Sequence, residues 1–336
     1  MPKKNWGIAE EDRPVGWIFN TYTFPHDDPK GGKKNFYIHV PATGERKGTY
    51  VFLHGLTYNH RQLAHILKEL QDNGYDVWFL KLKSAGRGDH IDEHLSDTRW
   101  LVRDIVRPHL DRTHGDKSLS LLSHSYGGHI GMRHLLDYPG DFDDAVFLAP
   151  ALMPHRAFGR ITSFFNALNR NGSWDEFSLS SFRFLTTVFN ANRKRSIGKA
   201  LANGEKPDRR HKGMTERVEG ITLGFFNSLN KSCETLMRRL PDIRTPVHFV
   251  VARQEDSVDN GAIEEACKTM PRASIHRFDC GHDLLHQAPP LHKMIMDSIE
   301  DGRAAARRSP RTENAPAVAA RAGLRSPLPA LEKAVA

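Results

Sequence analysis

Three short stretches hold side chains whose types could carry out acyl-transfer chemistry together. The first is LLSHSYGGHIGM, residues 121–132, in which Ser125 stands between an apolar run and a glycine-rich turn. A serine hydroxyl is a weak nucleophile until a base takes its proton, and the base needs an acid to hold its tautomer. The second stretch, EDSVDN at 255–260, offers that acid: Asp256 is the expected one, with Glu255 and Asp259 as alternatives. The third, CGHDLLH at 280–286, offers the base, His282. Nineteen histidines make the presence of one uninformative; its place in the chain discriminates. Serine, then acid, then histidine, each in a loop after its own strand, is the order such a constellation needs on an open α/β sheet.

The elements around these residues must present them. KSLSLLS before Ser125 reads as a strand and GGHIGMRHLLDYP after it as a helix, so Ser125 falls on a strand-to-helix turn. A nucleophile there needs small residues two positions away on each side, the G-x-S-x-G pattern. Gly127 meets this, and Ser123 replaces the first glycine with another small residue. The helix also aims its positive end at the place where an oxyanion would form. Two backbone amides should complete that hole: Tyr126, directly after the nucleophile, and Leu56, which Gly55 lets turn inward after the strand TYVFLH. His54 is expected to brace this loop through backbone hydrogen bonds. His124 is a neighbour of Ser125 but should point to the opposite side of the sheet. His286 and His292 are expected on a helix face or the surface.

Further strands are expected at 36–41, 75–82, 144–150, 248–254 and 273–279, and helices at 59–73, 96–112, 260–269 and 289–300. The alternation implies a mostly parallel central sheet with helices on both faces. Residues 152–240 break the pattern. They are rich in Phe, Arg and Asn, helical in period and without a convincing strand, and are expected as a helical cap over the carboxyl edge of the sheet. The core then comprises 1–151 and 241–301, and 302–336 is expected as a disordered basic tail. The cap aromatics, among them Phe158, Phe164, Phe225 and Phe226, could line an acyl-chain site or pack the cap's own helices.

Composition narrows the classes. No run of eighteen apolar residues exists and MPKKNWGIAEEDRP has no apolar core, so neither a membrane span nor a secretory signal is expected. Three scattered cysteines lack metal-ligand spacing and read as free thiols of a reducing, cytoplasmic compartment. From Asp301 onward seven Arg/Lys face three Asp/Glu, so four of the net +8 charges lie in the tail. Nucleic acid is not an expected partner. Peripheral contact with anionic lipid is, through RKRSIGK at 193–199. No metal or organic cofactor is expected, and oligomeric state is not legible.

These features make the chain resemble the α/β-hydrolase superfamily, in particular the group of monoacylglycerol lipases and bacterial lysophospholipases. The resemblance covers most of residues 17–300 and rests on VFLHGLTYNH, DVWFLKLKSAGRGD, LLSHSYGGHIGM, VVARQEDSVDN and DCGHDLLHQ. It implies an α/β-hydrolase fold with Ser125 as nucleophile, Asp256 as acid, His282 as base, and Leu56 and Tyr126 as oxyanion donors. It further implies hydrolysis of a small-molecule or lipid ester, with an aminopeptidase or small-ester esterase, or a non-catalytic binding protein on the same scaffold, as alternatives. Three departures stand out: Ser123 in place of glycine, Leu56-Thr57 without the second glycine of many relatives, and a dissimilar cap.

Overall fold

The computed structural model describes residues 10–22, 35–56, 58, 60–82, 91–113, 118–154, 222–287 and 289–308. Its centre is one eight-stranded sheet in the order β1-β2-β4-β3-β5-β6-β7-β8. The strands are β1 (Ile18–Tyr22), β2 (Asn35–Val40), β3 (Gly48–Leu53), β4 (Tyr75–Leu80), β5 (Leu119–His124), β6 (Asp144–Leu148), β7 (Val247–Ala252) and β8 (Ala273–Phe278). β1 and β2 run antiparallel to their neighbours, and all pairings from β4 to β8 are parallel. This is the α/β sheet the strand–helix alternation implied. β1, at the edge, has no counterpart in that reading.

Strands β3 to β6 are buried along their whole length, which explains their near-continuous apolar sequences. Alternate residues serve opposite faces. Val51, Leu53 and Leu121 pack into one core with α2 (Ile91–Trp100), α4 (Tyr126–Asp137), α5 (Leu223–Arg239) and α6 (Asn260–Thr269). Tyr50, Phe52 and Leu122 pack into the other with α1 (Ala64–Asp72) and α7 (Pro289–Arg308). The helix entering at α2 widens to a π-helical turn over Leu101–Val106 before α3 (Arg107–Arg112). Pro108 follows at once and has no N–H to give the preceding turn, which favours such a departure from the α ladder.

The order of strands reverses at β3, whose neighbours are β4 on one side and β5 on the other. Connections leaving β3 and β5 part to opposite faces there and open a crevice at the carboxyl edge. Residues 155–221, most of the expected cap, lie outside the described residues. α5, within that expected segment, is packed against the sheet-bound α4: Phe225, Leu229 and Leu236 are buried in the core, each contributing about 1.5–3 kcal/mol.

α7 also runs past the expected start of the tail, to Arg308, and Arg303 is buried inside it. Its Nε and Nη2 donate to Ser120 and Ser118 hydroxyls, both at 2.8 Å, and its guanidinium lies over the Tyr50 and Tyr75 rings at 5.1 and 4.8 Å. The last helix is therefore pinned under β5 by a cation that composition alone assigns to a solvated tail. Replacing Arg303 by Ala should destabilise the protein by about 2–4 kcal/mol in urea unfolding, because two charge-assisted hydrogen bonds and two ring contacts go together.

Candidate active site

Ser125 follows β5 with φ 52° and ψ −118°, a conformation that side-chain-bearing residues rarely adopt. Three hydrogen bonds of 2.9 Å hold it: its N–H donates to Leu148 O, and its carbonyl accepts from the Gly128 and Ala151 amides. Strain of this kind costs roughly 1–3 kcal/mol and persists only where the surroundings over-determine it. The neighbouring packing explains the small residues. A Cβ at position 127 would lie 2.2 Å from the Leu53 carbonyl oxygen, so only glycine lets α4 pass β3. Ser123 is fully buried on β5, and a hydroxymethyl fits where the pattern has glycine.

The Ser125 hydroxyl meets His282 across the crevice, Oγ to Nε2 at 2.9 Å. The Nδ1–H of His282 donates to Glu255 Oε2 at 2.8 Å. The acid in contact with the imidazole is therefore Glu255, and the expectation of Asp256 is corrected. Glu255 is the first residue of its turn and folds back over it. Its Oε1 accepts from the amides of Asp256, Ser257 and Val258 at 3.0, 2.8 and 3.2 Å, which aims Oε2 at the ring. The carboxylate of Asp256 instead accepts from the Ser257 hydroxyl at 3.1 Å, and Asp259 caps α6 through the Gly261 amide at 2.8 Å. Three neighbouring acids thus have three separate tasks.

Electrostatics follow the geometry. Burial works against charge on His282, but Glu255, by charge and hydrogen bond, with Asp283 and Asp256 beyond it, lifts its pKa above the ordinary histidine value. Burial would raise the Glu255 carboxyl, yet His282 and the Ser257 and Val258 amides hold it below the usual range. The Glu255 carboxylate thus favours the imidazolium form of His282, the form the ring takes when it accepts a proton.

The loop after β3 lies against this centre, since a Cβ at Gly55 would come within 3.3 Å of the Ser125 Cβ. His54 braces it. Its Nε2 accepts from the Leu82 amide at 3.0 Å and its Nδ1–H donates to Gly55 O at 2.6 Å, so one neutral tautomer satisfies both. Burial, aided by the Lys81 charge, depresses its pKa well below the ordinary value. Leu56 is half-buried beside the core, and Tyr126 opens α4, where the first amides have no partner within the helix. The Tyr126 side chain is held by His94 of α2, Nδ1 to hydroxyl at 2.8 Å, and by the Phe225 ring at a centroid distance of 5.4 Å. Phe225 and Phe226 are buried in the core, and Phe158 and Phe164 lie outside the described residues.

Sequence reasoning missed a second layer. Tyr58 donates its hydroxyl to Asp283 Oδ1 at 2.6 Å, and His286 Nδ1 meets the same oxygen at 2.8 Å. His286 is buried, not on the surface, and its Nε2 faces the Gln62 carbonyl at 3.0 Å. His292 pairs with Glu69 at 2.6 Å. His124, expected on the opposite side of the sheet, instead lies beside His282: its Nε2–H donates to the His282 carbonyl at 3.2 Å and the two ring centroids are 5.2 Å apart. Burial holds His124 neutral, with a pKa down to about 4. The spacing of Asp283 and His286, one helical turn apart, is the sequence signal that could have revealed this layer.

Among the described residues, one group could offer three metal-ligating atoms, His39, Asp76 and His109, within 4.8 Å of one another. The Arg46 guanidinium sits 2.9 Å from the Asp76 carboxylate and already neutralises it. A divalent ion would be repelled by that fixed cation. The group also lies at the amino end of β4, away from Ser125.

Residues 44–289 match the family model described as serine aminopeptidase, S33. The chain belongs to this family. Its α/β-hydrolase fold recurs in the monoacylglycerol lipase of Paleococcus ferrophilus, at 14% identity over 81% of this chain and 100% of that chain, TM-score 0.59. It recurs in a soluble variant of monoglyceride lipase from Saccharomyces cerevisiae in complex with a substrate analogue, at 12% identity over 88% and 98%, TM-score 0.61. A carboxyl esterase from Bacillus coagulans aligns at 13% identity over 85% and 96%, TM-score 0.60. At these identities the likeness establishes the fold. No curated protein matches the chain. Among the described residues of this α/β-hydrolase, no helix is long and apolar enough to cross a membrane.

The site makes a prediction that separates the two acids. A base must be neutral to accept a proton, so activity is lost as pH falls through the raised His282 pKa, and the acid limb of kcat/KM should lie above pH 6.5. Glu255→Gln should lower kcat/KM by roughly 10³–10⁴-fold and move that limb to lower pH. Asp256→Asn should cost less than about ten-fold, because Asp256 acts on His282 through charge at a distance while Glu255 makes the hydrogen bond. Steady-state pH profiles of the three proteins check both statements.

Proposed function

We propose that this hydrolase cleaves carboxylic esters by a two-step acyl-enzyme mechanism on Ser125. The unbroken hydrogen-bond chain from Ser125 through His282 to Glu255 carries the proposal. The Ser125 oxygen attacks the ester carbonyl carbon while His282 Nε2 takes the hydroxyl proton, and Glu255 stabilises the imidazolium. The Leu56 and Tyr126 amides receive the developing oxyanion, each contributing about 3–4 kcal/mol in a comparable site. On collapse the C–O bond to the alcohol breaks and His282 gives its proton to that oxygen. Water then attacks the acyl carbon with His282 again as base, releasing the acid and restoring the serine.

The substrate class proposed is a lipid-like ester, a monoacylglycerol or lysophospholipid. The motif resemblance to the enzymes acting on such esters supports it. Topology adds a second argument, because the segment 152–240 leaves from the carboxyl end of β6, the edge that holds Ser125. A cap there is placed to supply acyl-chain contacts, and its basic stretch to meet an anionic lipid surface. The three cysteines, all free, agree with a reducing compartment such as the cytoplasm. The family's own description favours a second reading, release of an amino-terminal residue from a peptide, which uses the same nucleophile on an amide.

A fluorophosphonate probe should label the wild-type protein and leave Ser125→Ala unlabelled. Absence of Ser125-dependent labelling would sink the hydrolase mechanism. Among nitrophenyl esters of increasing chain length, kcat/KM should rise from acetyl to medium or long acyl groups, with monoacylglycerols or lysophospholipids turned over. A preference for acetyl esters, or for aminoacyl nitroanilides, would replace the lipid reading with the esterase or peptidase one.

A further inference from the structure

His286 carries a geometric constraint on its own protonation. Its Nδ1 lies 2.8 Å from a carboxylate oxygen of Asp283 and its Nε2 lies 3.0 Å from the backbone oxygen of Gln62. Neither oxygen can donate a hydrogen, so both ring nitrogens must, and a ring with two N–H groups is an imidazolium. Asp283 answers with a carboxylate that also accepts the Tyr58 hydroxyl at 2.6 Å. The partners lie in the two loops that matter most. Tyr58 ends the turn begun at Gly55, whose carbonyl accepts the Tyr58 amide at 3.2 Å, and Asp283 directly follows His282. The Tyr58 ring stacks on the His286 ring at 5.5 Å.

We propose that Tyr58, Asp283 and a doubly protonated His286 form a positioning network that locks the loop bearing the Leu56 amide to the loop bearing His282. The proposal rests on the reading of Ser125 as nucleophile and His282 as base. None of the three touches the reacting atoms; they act by fixing two loops from different strands in one register. They also place a negative and a positive charge in sequence behind the base.

That charge order gives a signature which loop packing alone would not produce. His282 is faced by Glu255, Asp283, Asp256 and the neutral His124 ring, 5.2 Å away between centroids. Asp283 is faced by His286, Tyr58 and His124. His286 is faced by Asp283, Tyr58 and the His65 ring at 5.1 Å, and Lys81 donates to the Tyr58 carbonyl at 3.1 Å. Removing the Asp283 anion should make His282 easier to deprotonate. Removing the cation that screens this anion should make it harder.

The test compares full-length wild type with Asp283→Asn, His286→Gln and Tyr58→Phe, each first labelled with fluorophosphonate to confirm a folded, reactive Ser125. Asp283→Asn should shift the acid limb of kcat/KM to lower pH and His286→Gln to higher pH, each by about one unit. Tyr58→Phe should cut kcat roughly ten-fold or more with KM little changed, because misplaced donors penalise the transition state. In ring-¹⁵N spectra at pH 7, the histidine signal lost in His286→Gln should be that of a ring protonated on both nitrogens. Limb shifts of the same sign, unmoved limbs, unchanged kcat in Tyr58→Phe, or a neutral His286 ring would overturn the network. Wild type that fails to label on Ser125 would instead overturn the parent mechanism, and the network's role with it. Should the charged-pair variants fail to fold, the isosteric Tyr58→Phe decides alone.

Discussion

The approach of α4 to β3 at Gly127 is the constraint on which the site depends. With no side chain at that position, the helix after β5 can pass against the Leu53 carbonyl, and the turn between them closes so tightly that Ser125 takes a positive φ. That conformation lifts the hydroxyl out of the sheet instead of burying it with the alternate residues of β5. The same closeness brings the loop after β3 beside Ser125. Backbone geometry set by one missing methyl group thus brings Ser125 and the loop after β3 together.

The rest of the site consists of loops from strands far apart in sequence, held in register by hydrogen bonds across the carboxyl edge. Glu255 is held by three amides of its own turn through one carboxylate oxygen and accepts from His282 through the other. His54 ties the loop after β3 to the residue following β4. His124 reaches from the end of β5 to the carbonyl of His282. Burial keeps His54 and His124 neutral, so two further imidazoles pack near His282 without loading it with positive charge. The environment thus gives chemically identical rings different charge preferences: burial holds His54 and His124 down, and Glu255 lifts His282.

Much of this was legible in the residues, for definite reasons. Ser125 and His282 stood out because strand-loop-helix order limits which loops can meet at one sheet edge. The core strands showed because burial on both faces leaves unbroken apolar runs such as YVFL and WFL. The choice between Glu255 and Asp256 did not show. Adjacent acids in a loop are equivalent by type, and only the fold-back of Glu255 over its own amides decides which carboxylate faces inward. β1 escaped notice because Ile18, half exposed at a sheet edge, breaks the apolar alternation. Arg303 read as tail charge because nothing local reveals that two tyrosine rings and two serine hydroxyls await it beneath β5. In the Tyr58–Asp283–His286 layer, local spacing could show only the Asp283–His286 pair, because Tyr58 lies 225 positions from Asp283.

The central claim is that Ser125 forms a covalent acyl intermediate under the control of His282 and Glu255. Rapid-quench mass spectrometry of the protein with a slow nitrophenyl ester tests it most directly. The account predicts a burst of one nitrophenol per protein and an acyl group mapped to Ser125, accumulating more slowly in Glu255→Gln at the same pH. An acyl group on another residue, or turnover with no covalent intermediate and no dependence on Glu255, would contradict it.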